Sequence, residues 1–70
     1  MEKSILLVLA CRYLYYCKSI SYYDDSTYDA LEKYAKTFPN SEILNNVSSD
    51  KSEDYSPEVI DFANKLLNET

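Results

Sequence analysis

Seventy residues make one domain, near the lower size at which a chain folds without a metal, a disulfide or a partner. Twelve acidic against seven basic residues leave a net charge of −5, with no basic cluster to grip the phosphate backbone of a nucleic acid directly. Glycine and histidine are absent altogether, which excludes the glycine-dependent phosphate loops, Rossmann fingerprints, EF-hands and nucleophile elbows, and removes the commonest general base and metal ligand.

The chain opens with a segment free of proline and glycine, and a helix is expected over about residues 2–18. Leu6, Ala10, Tyr13 and Cys17 fall on one face, and Leu7, Cys11 and Leu14 on an adjoining one. A helix apolar around so much of its circumference must be covered on more than one side. The run from Ile5 to Cys11 superficially resembles a signal-peptide core, but no basic segment precedes it, and seven residues fall well short of the roughly 20 that span a membrane. A buried core helix in a cytoplasmic protein, with no membrane partner, is the expectation. Six residues on one helix would hold Cys11 and Cys17 about 9 Å apart along the axis, too far for a disulfide. Neither has a companion at metal-ligand spacing, so both read as small apolar residues in a reducing compartment.

Ser19-Ile20-Ser21 reads as a connection, after which Asp24 or Asp25 caps a second helix over about 25–38. Tyr28, Leu31, Ala35 and Phe38 make its buried stripe, while Asp29 before Lys33 and Glu32 before Lys36 supply acid-first pairs on the outside. Pro39 ends it. A polar linker follows over about 45–55, and the stretch from Ser48 to Asp54 is expected to be mobile because it has nothing apolar to bury. Ser56-Pro57-Glu58 is a helix start, and Val59, Ile60, Ala63, Leu66 and Leu67 form the buried face of a third helix over about 57–68. The expected fold is therefore all-α: an antiparallel helical hairpin covered by a third, C-terminal helix.

Eight tyrosines, against two phenylalanines and no tryptophan, suit surfaces half buried and half wet, since the ring packs while the hydroxyl needs a polar partner. Tyr28 lies on the apolar stripe and reads first as core. A core does not need aromatics in adjacent pairs, so Tyr15-Tyr16 and Tyr22-Tyr23 point instead to a binding patch. Asp25 has an ordinary explanation as a helix cap and Asp29 as the partner of Lys33. The coincidence of both with Tyr28 and the upstream pair is what favours a site.

Tyr13-Leu14-Tyr15-Tyr16 and Asp25-Ser26-Thr27-Tyr28-Asp29-Ala30-Leu31, with 13 residues from Tyr15 to Tyr28, resemble the small N-terminal domain of the NAD-dependent DNA ligases, which grips the nicotinamide mononucleotide half of NAD. Phe38-Pro39 resembles the proline that follows the motif in that family. The resemblance covers about the first 40 residues. It implies that Tyr15, Tyr16 and Tyr28 stack on or flank the nicotinamide, and that Asp25 and Asp29 hydrogen-bond its amide and ribose. It also implies NAD or nicotinamide mononucleotide as ligand, with no resident cofactor. The chain departs from the family at Ser21-Tyr22-Tyr23-Asp24, where two added rings either enlarge the pocket or plug it. The glycine-containing lysine motif that carries the ligase adenylate is missing, so an enzyme is not expected.

Two function classes follow. One is a non-enzymatic, stand-alone module for nicotinamide-nucleotide recognition. The other is an acidic, tyrosine-rich protein-interaction module, such as a phage- or plasmid-type inhibitor, whose Tyr22 and Tyr23 dock on the basic surface of a host protein. Whether the tyrosines surround an open cleft or lie beneath the third helix separates them.

Overall fold

The computed structural model describes residues 2–45 and 51–68. Three α-helices carry the fold, α1 (Lys3–Lys18), α2 (Asp25–Ala35) and α3 (Pro57–Asn68), with 3-10 turns at Ser41–Asn45 and Ser52–Asp54. No strand occurs among the described residues, and α1 packs against both α2 and α3. This is the all-α arrangement expected of three amphipathic segments. No helix among the described residues is long and apolar enough to cross a membrane.

The central position of α1 follows from its composition. Ile5, Val8, Leu9, Ala10 and Leu14 are at most 1% exposed, so the helix is covered on several sides at once. Glu2 caps its start by accepting a hydrogen bond from the Ser4 N–H at 3.1 Å. At the other end Ser19 adopts the left-handed conformation (φ 56°), and the N–H groups of Ser19 and Ile20 both close on the Leu14 carbonyl. That position ordinarily favours glycine, and in a chain without any it falls to a small polar residue. The reversal it produces sends the chain back along α1.

The caps of the other helices are equally local. The Asp24 carboxylate accepts from the Thr27 N–H at 2.9 Å and opens α2. The Ser56 hydroxyl accepts from the Val59 N–H at 3.4 Å ahead of Pro57, opening α3. α2 ends at Ala35, three residues before Phe38, because the last turn tightens: Thr37 donates to the Tyr34 carbonyl and Phe38 to that of Ala35. Phe38 still reaches the core, as do Tyr28 and Leu31, while Ala35 is fully buried. On the exposed side Glu32 pairs with Lys36 at 3.5 Å, whereas the expected Asp29–Lys33 pair does not form among the described residues. Such surface pairs contribute only a few tenths of a kcal/mol, so little hangs on either.

Positions 46–50, which include Ser48 to Asp50 of the expected mobile stretch, lie outside the described residues. The rest of the polar linker is more structured than its composition suggests. Ser52–Asp54 forms a 3-10 turn, and Tyr55 is a core residue, 5% exposed, with its ring edge-on to Tyr13 at 5.4 Å between centroids. Val59 and Ala63 then carry the buried face of α3, flanked by Ile60, Phe62, Leu66 and Leu67. Cys11 and Cys17 are both thiols, the first buried and the second half-buried.

Leu14 is fully buried at the point where α1 meets its neighbours. Its replacement by alanine is expected to cost about 2–5 kcal/mol, a large part of the stability of so small a domain. Urea unfolding followed by circular dichroism checks this, and an unchanged midpoint would remove Leu14 from the core.

Candidate functional site

A cleft of about 210 Å³ opens where α1 ends, the chain reverses and α2 begins. Cys11, Arg12, Tyr15 and Tyr16 line it from α1, and Asp25 and Tyr28 from α2. The connection contributes Ile20, Ser21, Tyr22 and Tyr23. None of the lining comes from α3, which packs on another side of α1. The fold thus leaves the tyrosine cluster uncovered by the third helix.

The paired tyrosines are organised alike. Tyr15 and Tyr16 meet edge to face, with centroids 5.1 Å apart and planes at 85°. Tyr22 and Tyr23 do the same at 4.8 Å and 80°. Each pair therefore forms a corner of aromatic surface, the geometry the ring quadrupole prefers. Tyr15 and Tyr16 are exposed, at 59% and 44%, while Tyr22 and Tyr23 are half-buried. The two added rings that set this chain apart from the ligase pattern line the cleft beside the other pair.

The adjacent aspartates divide their labour. Asp24 takes the capping role, and the Thr27 hydrogen bond holds its carboxyl below the usual carboxylate range. Asp25 is left free of that role; it is exposed at the cleft, and its carboxylate makes no hydrogen bond or ion pair among the described residues. Asp29 is exposed on α2 and does not line the cleft. Of the residues singled out from sequence, Tyr15, Tyr16, Tyr22, Tyr23, Asp25 and Tyr28 converge, and Asp29 stands apart.

Sequence reasoning overlooked Arg12. It is 7% exposed, and its guanidinium is held on several sides. Nε donates to the Tyr28 hydroxyl at 2.9 Å, Nη2 to the Glu32 carboxylate at 2.8 Å, and Nη1 to the backbone carbonyl of Leu44. The Tyr28 hydroxyl in turn donates to Glu32 at 3.1 Å, closing a three-membered network. Tyr28 is therefore both a wall of the cleft and a fixed member of this polar cluster. One signal was available: a lone cation inside an otherwise apolar helix face needs a partner, and Tyr28 and Glu32 sit one turn apart on the next helix.

Electrostatics follow the geometry. Burial lowers the proton affinity of Arg12, but its bonds to Glu32 and Tyr28 outweigh that and hold it charged. The bond to Arg12 pulls the Glu32 carboxyl below its ordinary value despite partial burial. Burial pushes the Tyr28 phenol up, with Arg12 opposing, and burial likewise raises Tyr23. Cys11 is pushed up to about 11 by burial and is a neutral thiol at physiological pH, not a nucleophile.

No family model, curated protein or solved structure matches the chain. The site therefore stands on its own residues.

Glu32 binds its proton less readily folded than unfolded, so its stabilisation is complete above the ordinary glutamate pKa of about 4.3 and disappears as the pH falls through the lowered folded value. Asp24 acts in the same direction. Denaturation midpoints measured from pH 7 to pH 3 should decline on acidification, and Glu32→Gln should flatten that decline while lowering stability at neutral pH. An acid slope unchanged in Glu32→Gln would mean that the Arg12–Glu32 pair does not contribute.

Proposed function

We propose that the protein is a non-enzymatic binding module, akin to the nicotinamide-nucleotide recognition domain of NAD-dependent DNA ligases, and that the cleft at the α1–α2 reversal holds the nicotinamide end of its ligand. The observation that carries this reading is the convergence of Tyr15, Tyr16, Tyr22, Tyr23 and Tyr28 around one open cleft with the Asp25 carboxylate beside them. Aromatic faces hold a flat ring by stacking, and a carboxylate accepts from an amide or a ribose hydroxyl. At about 210 Å³ the cleft falls below the roughly 300–1,000 Å³ of drug-sized ligand pockets, which suits one ring and its immediate substituents rather than a whole dinucleotide. The neutral, buried state of Cys11 and the lack of any histidine support recognition over catalysis.

A second reading has its own support. Tyr15 and Tyr16 present much of their surface to solvent, and Tyr34 (58%) and Ile43 (37%) are also exposed, on a chain of net charge −5. Exposed tyrosine with acidic charge is an interface composition, one that fits a basic protein surface.

Titration of isotope-labelled protein with nicotinamide mononucleotide and NAD, followed by NMR, separates the two. The nucleotide reading expects shifts confined to the cleft. Tyr15→Ala, exposed and hence harmless to folding, should weaken binding by the equivalent of about 1–3 kcal/mol, as loss of a stacking ring does. Asp29→Ala should weaken it less, because Asp29 lies outside the lining. Silent spectra, with a partner retained on Tyr22/Tyr23-dependent capture, would transfer the site to the protein-binding reading.

A further inference from the structure

We propose that the protein carries a second interaction surface, a narrow apolar groove between the 3-10 turn Ser41–Asn45 and the start of α3. Its occupant is one aliphatic or aromatic side chain on a basic segment of a partner protein. The groove shares no lining residue with the tyrosine cleft, and it stands whether or not that cleft takes a nucleotide.

The groove has a volume of about 150 Å³. Leu9 of α1 and Val59 of α3 form its buried base, each 1% exposed, with Ile43 contributed by the 3-10 turn and Tyr55 by the approach to α3. Its walls are held in place. The Arg12 guanidinium donates to the carbonyl of Leu44, the neighbour of Ile43, and the Tyr55 ring rests edge-on against Tyr13. A groove shaped before its partner arrives loses less on binding than one that must first be ordered. Ile43 is the telling residue. Among the described residues four large hydrophobic side chains are exposed, and the other three are tyrosines, whose hydroxyls suit a wet position. A single exposed isoleucine is ordinary, but one on the wall of an apolar recess enlarges what a partner can bury there.

Size and charge define the occupant. An apolar cavity of about this volume accepts a group the size of benzene, so the groove suits a leucine, methionine or phenylalanine side chain. It is too small for most organic ligands, whose pockets run to roughly 300–1,000 Å³. Acids flank it on both sides. Glu42 precedes Ile43 on the 3-10 turn, Glu53 precedes the lining residue Asp54, and Glu58 lies in the first turn of α3. Glu42, Glu53 and Glu58 are exposed and make no hydrogen bond or ion pair among the described residues. Against these acids, residues 41–45 and 51–59 carry a single cation, Lys51. An apolar recess with an acidic rim fits an apolar anchor flanked by lysine or arginine, the anchor buried at the centre and the charges meeting around it. A nucleic acid is repelled by the same rim, and so is a second copy of a chain of net charge −5.

The test uses the whole chain and three blocked synthetic peptides: a leucine centred among lysines and alanines, the same peptide with alanine in place of the leucine, and the same with glutamates in place of the lysines. NMR shifts of the Leu9, Ile43 and Val59 methyl groups report occupation of the groove. The lysine–leucine peptide is expected to shift these methyls and to bind at least about fivefold tighter than either control, since it alone joins a buried anchor to opposite charge. Ile43→Ser, at an exposed position and with its helices checked by circular dichroism, should weaken that binding. Glu42→Gln combined with Glu58→Gln should remove most of the advantage over the glutamate peptide. Equal binding of the leucine and alanine peptides would overturn the anchor pocket, and equal binding of the lysine and glutamate peptides would overturn the basic partner. Shifts confined to Tyr15 and Tyr16 would overturn the groove and make the cleft the protein-binding surface. Methyl shifts that depend on protein concentration before any peptide is added would overturn the partner and make a second copy the occupant. Silence of the groove methyls with all three peptides would overturn this surface, while leaving any response of the cleft to a nicotinamide nucleotide untouched.

Discussion

The hydrogen-bonded cluster of Arg12, Tyr28 and Glu32 is the interaction on which the α1–α2 half of the molecule depends. A guanidinium this deeply buried costs several kcal/mol to desolvate, and only dense pairing offsets that cost. Pairing is supplied from two places: α2, through Tyr28 and Glu32, and the 3-10 turn, through the Leu44 carbonyl. A purely apolar contact between helices tolerates sliding by a residue. This one does not, because a shift of α2 along α1 would strand the guanidinium. The cluster thereby fixes the register of the hairpin, and with it the distance between the tyrosines at the end of α1 and the start of α2.

That constraint explains why the cleft can exist in a chain with so small a core. Open aromatic surface beside a hairpin reversal would ordinarily collapse, since exposed rings gain by burial. Tyr28 cannot rotate into the gap, because its hydroxyl is held at both ends of its hydrogen-bonding capacity, accepting from Arg12 and donating to Glu32. The tyrosines of each adjacent pair satisfy part of their demand for contact on one another, edge against face. α3 is meanwhile occupied elsewhere, with Val59, Ala63 and the preceding Tyr55 committed to the opposite parts of α1, including the ring of Tyr13.

The same helix therefore serves two masters along its length. From Ile5 to Leu14 the side chains of α1 are almost all buried and organise the core. From Tyr15 onward the helix emerges, and its aromatic residues are presented rather than packed. The boundary falls one turn before the left-handed Ser19, where the chain must leave the helix and no longer has a partner element on every side. Open aromatic surface arises at that boundary because large rings are positioned by a rigid scaffold on one side and left to solvent on the other.

By itself the sequence determined whatever depends on near neighbours along the chain. Helical periodicity, an aspartate cap at position 24 or 25, the Ser56 cap and Pro57 at a helix start all act within a turn or two, so three helices and an all-α fold were legible. So was the grouping of the paired tyrosines with Asp25 and Tyr28, since a short reversal between two helices leaves them little choice but to meet. Only the tertiary structure decided which of two adjacent aspartates would cap and which would face the cleft. It also turned Asp29 away, drew Tyr55 out of a polar linker into the core, and paired a lone arginine with a tyrosine sixteen residues on and a glutamate twenty residues on. Those outcomes rest on the rotation of one helix about its axis against another. That rotation is set by the packing of many side chains together, which no local pattern along the chain encodes.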